Sequence, residues 1–196
     1  MSKKQLVMIG NGMAGIRTIE EILERDAQQY NITIIGKEPY PNYNRIMLSN
    51  ILQKKMTVDE TIMNPFEWYK DNDIQLITND PVVEVNRELK QVITADGLRC
   101  NYDICIFATG SSAFVLPIPG ASLSSVIGWR TIEDTERMIE IAKTKQRAIV
   151  IGGGLLGLEC ARGLMDQGME VTVVHLAEWL MEMQLDNKAA DMFNAD

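Results

Sequence analysis

The sequence predicts an α/β protein built on parallel β-α-β units, and three observations carry that prediction. Gly10-Asn-Gly-Met-Ala-Gly15 follows an apolar, β-prone run and opens a segment with apolar residues at Ile16, Ile19, Ile22 and Leu23. The same succession returns as Arg147–Ile151, Gly152-Gly-Gly-Leu-Leu-Gly157 and a helical stretch to about Asp166. Each helix is followed by another short apolar run, Ile32–Ile35 and then Val171–Val174, at the spacing of a right-handed parallel crossover.

Taken in order, Gln5–Ile9 is the first strand and the helix after its turn ends at the polar stretch Asp26–Asn31. Residues 38–56 hold Pro39, Pro41, three asparagines and two tyrosines without clear periodicity, which predicts an irregular segment able to cover a ligand. Asn64-Pro65-Phe-Glu67 predicts an N-cap, a proline at the first helical position and an acid two residues later, starting a helix through Trp68 and Tyr69. Runs at Ile74–Ile77, Val82–Val85 and Gln91–Thr94, with turn residues at Asn86-Arg87 and Asp96-Gly97, predict a small antiparallel element. Tyr102-Asp103 leads into a buried-strand candidate, Ile104–Phe107. Pro117-Ile-Pro-Gly120 interrupts the chain, and Thr131-Ile-Glu-Asp134 has capping-box spacing at the start of an amphipathic helix reaching about Lys143.

Composition bounds the function. The chain has 196 residues, 46% apolar residues and 6 prolines, enough nonpolar surface for one sizeable core or two small ones. With 27 acidic against 19 basic residues and a net charge of -8, a nucleic-acid partner is disfavoured, because phosphate backbones call for clustered positive charge. No run approaches the roughly 18 apolar residues of a membrane span, and the N-terminus passes directly into a strand without a secretion signal. A cytoplasmic location without membrane association is therefore expected. Cys100, Cys105 and Cys160 form no Cys-x-x-Cys pair, so neither a disulfide framework nor a metal cluster is indicated. The single histidine, His175, leaves little for a histidine metal site or a catalytic triad.

The repeated glycines have a specific chemistry. In a dinucleotide-binding turn the first glycine permits the tight turn, the second lets the backbone approach a pyrophosphate, and the third allows the helix to pack closely. The helix N-terminus supplies unpaired amide donors and the positive end of its dipole, so an acidic chain can still hold a phosphate. Gly10, Gly12 and Gly15 fill these places in the first copy, and Gly152, Gly154 and Gly157 in the second. Neither second strand ends directly in the usual ribose-binding acid: Gly36 follows Ile35 and His175 follows Val174. Glu38 and Glu178 are nearby substitutes, with a solvated surface acid as the alternative for Glu38. The choice between NADH and NADPH stays open.

Ile9–Gly15, Pro41-Asn-Tyr-Asn-Arg45 with Leu48-Ser49, Ala108-Thr-Gly-Ser111 and Val150–Glu159 together resemble the two-dinucleotide-binding flavoprotein reductases. With Val171–Leu176 and Leu180–Asp186, they are similar within that family to the N-terminal region of the large subunits of assimilatory NAD(P)H-dependent nitrite reductases. The resemblance spans essentially the whole chain. It implies a three-layer, Rossmann-like FAD-binding domain with a small antiparallel element, followed by the start of a second Rossmann-like domain for NAD(P)H. The implied division is 1–118 for the first FAD segment, 119–145 for a connector and helix, and 146–196 for a partial NAD(P)-binding domain. Hydride passes from nicotinamide to flavin in that family. Siroheme and an iron-sulfur centre are expected only in downstream regions, so this chain alone is expected to be inactive toward nitrite. Expected partners are NAD(P)H, downstream redox domains of the same polypeptide and a small nitrite reductase subunit; the alternatives are a fragment of another FAD-dependent NAD(P)H reductase serving an iron-sulfur or haem partner, and a cofactor-free structural fragment.

By the same resemblance, Gly10, Gly12, Met13, Ala14 and Gly15 approach the FAD pyrophosphate and Glu38 lies near its ribose. Asn44, Arg45 and Ser49 belong to a loop against FAD, where a guanidinium offers a fork of donors to a phosphate or flavin oxygen; a surface ion pair is the alternative for Arg45. Ala108, Thr109 and Gly110 form a compact junction beside the cofactor, or an ordinary strand end. Arg130 matches an FAD-facing position or a helix-start salt bridge, and Val82 a position beside adenine or a core valine. Gly152, Gly154, Leu155, Leu156 and Gly157 form the nicotinamide-dinucleotide turn, with Glu159 directed toward the nicotinamide or toward solvent. None is required as an acid-base catalyst, since the flavin carries the hydride chemistry. Without a Cys-x-x-Cys pair, the chain does not resemble the disulfide-reducing branch.

Overall fold

The computed structural model describes residues 3–195, with side chains to residue 192. Contacts divide it into two compact units. One is the chain through Asn44 together with Ile62–Ser112; the other is Arg45–Thr61 together with the chain from Ala113 onward. This division by packing differs from the division by motif, because an excursion of the chain at 45–61 joins the second unit.

The first unit is built on a four-stranded parallel sheet. Strand β1 (Lys4–Ile9) pairs with β2 (Tyr30–Ile35), from Lys4 beside Tyr30 to Ile9 beside Ile35. β2 also pairs with β5 (Ile74–Ile77), and β1 with β9 (Ile104–Phe107), giving the order β5-β2-β1-β9. The short strands β3 (Asn42–Tyr43) and β4 (Ile62–Asn64) form a separate antiparallel pair. β6 (Val82–Asn86), β7 (Gln91–Thr94) and β8 (Arg99–Asn101) make the small antiparallel sheet.

Strand alternation sorts the core into two layers. Leu6, Met8, Ile32, Ile34 and Ile74 pack with Ile16 and Ile19 of helix α1 (Met13–Asp26) and with Tyr69 of α3 (Phe66–Asp71). Val7, Ile9 and Ile35 face the other way and pack with Val92, Val82, Val85 and Cys100 of the antiparallel sheet. Successive residues of a strand point to opposite faces, so β1 alone serves both layers. The result is the three-layer arrangement that the sequence implied.

Two local expectations are corrected. Ile74–Ile77 lies in the parallel sheet rather than in the antiparallel one, where Arg99–Asn101 takes the third place. The α3 cap is Pro65 and not Asn64, because the Asn64 side chain is engaged with Asn42 and Glu20 instead of the helix end.

The second unit contains a two-stranded parallel sheet, β10 (Arg147–Ile151) with β11 (Glu170–Val174), and α5 (Leu155–Asp166) between them in sequence. Its core joins Val150, Cys160, Ala161, Leu164 and Met169 to Met138 of α4 (Ile132–Ala142). The expected capping box is present: Thr131 Oγ1 accepts from Asp134 N, and Asp134 Oδ2 accepts from Thr131 N. The 45–61 excursion enters this core through α2 (Leu48–Leu52), whose Leu52 is fully buried. Gly163 makes room for it, since a Cβ there would lie 2.5 Å from Leu52 Cγ, and Gln167 Nε2 donates to Leu52 O at 2.7 Å. A last helix, α6, spans Asn187–Ala195.

Candidate functional site: two glycine turns

In the first unit the chain leaves β1 through Gly10, whose N–H donates to Ile35 O at 2.8 Å and whose φ is +112°. A Cβ at Gly10 would lie 2.2 Å from Ala108 O, and one at Gly15 would lie 3.0 Å from Gly10 O and 3.1 Å from Ala108 Cβ. These two glycines, with Ala108, bring the strand end, the helix and the end of β9 together. Gly12 differs: a Cβ there would meet nothing within 4 Å. It caps α1 in extended geometry, without a side-chain cap and without an acid in the first turn. The leading amides of α1 thus border open space above a bare backbone, which suits an anionic group.

Other side chains define the rim. Met13 is half-buried and Ala14 exposed on the first turn of α1; Thr109 and Gly110 are exposed just after β9, Gly110 with φ +69°. Parallel pairing puts these residues and Glu38 beyond the carboxyl ends of their strands, the edge where open α/β sheets bind ligands. Tyr43 Oη donates to Glu38 Oε2 at 2.7 Å and so holds the carboxylate. Val82 is half-buried between the two sheets.

Beneath the turn lies a polar network absent from the sequence expectations. Tyr69 Oη donates to Asn11 Oδ1 at 2.8 Å and accepts from Asn42 N at 3.1 Å; Asn11 Nδ2 donates to Tyr40 O at 3.3 Å. Burial pushes the Tyr69 phenol above its ordinary range, keeping it a neutral donor. Asn42 Nδ2 donates to Asn64 Oδ1 at 2.8 Å, while the buried Asn42 Oδ1 has no protein partner. The middle residue of Gly-Asn-Gly therefore ties the turn to the 40–42 loop.

The second turn repeats the plan. Gly152 has φ +116° and its N–H donates to Val174 O at 2.8 Å. A Cβ at Gly157 would lie 1.9 Å from Gly152 O, whereas one at Gly154 would meet nothing within 4 Å. Gly154 also caps its helix in extended geometry without a side-chain cap. Leu155 and Leu156 are exposed on the first turn, and Glu159 is half-buried one turn further along.

Gly153, unremarked in the sequence reading, is clamped by the loop after β11. Its N–H donates to His175 Nδ1 at 3.0 Å, and its carbonyl accepts from Met181 N at 2.9 Å. A Cβ on Gly153 would lie 2.4 Å from Leu180 Cδ2 and 2.9 Å from His175 Cγ. The acid found at His175 is Glu182, with Nε2 and Oε2 3.0 Å apart. The signal for this clamp was the third consecutive glycine.

The remaining expected residues are divided between the two units. Asn44 belongs to the first unit, whereas Arg45, Ser49 and Arg130 belong to the second. Arg45 Nη1 donates to Arg130 O at 2.8 Å, Ser49 Oγ donates to Ile46 O at 3.3 Å, and Arg130 N donates to Asp134 Oδ2 at 2.8 Å. Burial pushes the thiols of Cys100 and Cys105 up and that of Cys160 to about 11. Among the described residues no cluster of His, Cys, Asp and Glu could hold a metal ion, and no helix is long and apolar enough to cross a membrane.

Residues 4–196 match the family model described as pyridine nucleotide-disulphide oxidoreductase. The chain belongs to this family. It is 54% identical over 190 residues to a Bacillus subtilis protein named nitrite reductase [NAD(P)H], covering 96% of this chain and 24% of that one. It is 46% identical over 196 residues to the assimilatory nitrate reductase electron transfer subunit of the same organism, covering 100% of this chain and 25% of that one. The chain thus spans about a quarter of the length of these curated relatives. Among solved structures, NADH:rubredoxin oxidoreductase from Clostridium acetobutylicum superposes with a TM-score of 0.86 at 26% identity, over 99% of this chain and 50% of that one.

Proposed function

We propose that this chain is the electron-input region of a flavoprotein NAD(P)H-dependent nitrite reductase, with FAD at the first glycine turn and NAD(P)H at the second. The observation that carries the reading is the duplicated cradle: a positive-φ glycine opens each turn, a glycine on the helix packs against its carbonyl, and an open one caps a helix end that no side chain caps. The 54% identity to a nitrite reductase supports the reaction class.

When bound, the flavin supplies the hydride-accepting chemistry. The chain's part is to bind and orient. Gly12 and the first amides of α1 receive the pyrophosphate, with Met13 and Ala14 on that turn. Glu38, fixed by Tyr43, accepts from a ribose hydroxyl. Ala108, Thr109 and Gly110 bound the same edge, Val82 lies toward adenine, and Asn44 of this unit also contacts the flavin by the resemblance; the flavin roles of Arg45, Ser49 and Arg130 rest on the resemblance alone. Gly154, Leu155 and Leu156 receive the second pyrophosphate, with Glu159 toward the nicotinamide. Downstream domains of the same polypeptide would carry siroheme and the iron-sulfur centre, with a small subunit as partner, in the cytoplasm.

Visible absorbance of the purified protein tests the first site: stoichiometric FAD is expected, and no retention at saturating FAD refutes it. The 46% identity to an electron transfer subunit favours a second reading, in which the electrons go to a separate reductase. Nitrite-dependent NAD(P)H oxidation by the full-length protein alone supports the first reading; a requirement for an added partner supports the second.

A further inference from the structure

We infer that Glu182, held over the second glycine turn by His175, is the ribose-recognising acid of that turn and makes the site select NADH over NADPH. The inference rests on the proposal that this turn binds a pyridine nucleotide.

The group that tells the two nucleotides apart stands about 20 residues past the first glycine, at the end of the second strand, where a carboxylate accepts from the ribose 2′-hydroxyl or a cation receives the 2′-phosphate. His175 occupies that place, immediately after β11. Its ring cannot act as the acid, and its hydrogen bonds fix what it does instead. Nδ1 accepts from Gly153 N, so the ring proton lies on Nε2, which faces Glu182 Oε2 at 3.0 Å and Trp179 O at 3.1 Å. The imidazole is thus a bridge from the glycine turn to a carboxylate.

The environment suits this division. The His175 side chain is 14% exposed, enclosed by Gly153 and the loop, whereas that of Glu182 is 35% exposed and so within reach of a ligand. Met181, with φ +59°, donates its N–H to Gly153 O, which fixes the loop on the turn one residue before the acid. The first unit uses an analogous device: Glu38 also stands beyond its strand end and is held by a neighbouring ring, that of Tyr43. A carboxylate placed this way accepts from a 2′-hydroxyl and repels a 2′-phosphate. His175 is a positioning residue in this scheme.

The test titrates the intact protein with ADP-ribose and with 2′-phospho-ADP-ribose by calorimetry. Wild type is expected to favour ADP-ribose by about tenfold or more, the size of one unfavourable charge pair near a protein surface. Glu182→Gln keeps the shape and removes the charge, and should bring the two affinities within about threefold, chiefly by tightening the phosphorylated probe. His175→Leu should erode the ratio although the acid remains, and His175→Gln, which can still accept from Gly153 and donate to Glu182, should restore it. An unchanged ratio in Glu182→Gln with ADP-ribose still bound overturns the role of Glu182 and leaves the nucleotide site standing. Failure of wild type to bind either probe overturns the nucleotide site, and this inference with it.

Discussion

Alanine at Gly10 and alanine at Gly12 should separate stability from cofactor binding within one three-residue turn. At Gly10 the new methyl carbon would lie 2.2 Å from Ala108 O, a backbone atom that cannot rotate aside, and the residue would keep φ +112°. Left-handed backbone costs an L-residue about 1–2 kcal/mol, and overpacking adds about 1–3 kcal/mol. The sum, about 2–5 kcal/mol, is a large part of the roughly 5–15 kcal/mol that holds a domain folded. For a unit of this size each kcal/mol shifts the midpoint by roughly 4–8 °C, so Gly10→Ala should lose at least about 8 °C. Gly12 has φ -93°, ψ 174° and open space at its Cβ, so Gly12→Ala should stay within about 0.5 kcal/mol of wild type. It should nevertheless retain less FAD, because the methyl group stands where the backbone must approach the pyrophosphate. Thermal unfolding by circular dichroism without ligand, paired with flavin absorbance after gel filtration, reads both effects. Equal stability of the two variants would refute the packing argument; undiminished flavin in Gly12→Ala would refute the cradle.

Three more outcomes are expected. Gly157→Ala places a methyl carbon 1.9 Å from Gly152 O and should destabilise the second unit by about 2 kcal/mol or more, seen as an earlier urea transition of that unit. Tyr69→Phe strands Asn11 Oδ1 and the Asn42 N–H and should lower the unfolding free energy by about 1–3 kcal/mol in urea titration; a neutral result would mean that water replaces the hydroxyl. Cys160 stays protonated when folded to about pH 11, whereas in the unfolded chain it ionises near 9, so its contribution is complete below pH 9 and is lost as pH rises toward 11. Unfolding free energy should therefore fall over that interval in wild type and fall less in Cys160→Ala.

Local patterns were legible because their physics is local. The glycine spacings, the flanking apolar runs and the Thr131-Asp134 box each act within a few residues, and β1, α1, β10, α5 and the α4 cap lie where those signals put them. What escaped depends on distant partners. Ile74–Ile77 has a strand's alternation, but only its pairing with β2 makes it parallel. Asn64 looks like a cap until Asn42 and Glu20 compete for its amide. The 45–61 excursion joins the second unit through Leu52 at Gly163, a contact across more than a hundred residues that no periodicity announces. At the turns, the glycines were visible, whereas Asn11, Gly153 and Glu182 were hidden as unconstrained positions of a motif or as residues of an irregular loop.

The contact between Gly10 and Ala108 also sets an order of events during synthesis. Gln5 and Asp103, bonded at the start of the same β1-β9 pairing, are 98 residues apart. At about 5–20 residues per second, a ribosome needs roughly 5–20 s to supply the later partner. Until then β1 has only β2 beside it, and its first glycine turn lacks the wall against which it closes. The second turn draws its glycines, its helix and its His175 clamp from a short local stretch, so its own contacts can form soon after that stretch emerges. The older half of the repeat in the chain must wait for a distant strand; the younger half assembles its turn from neighbours.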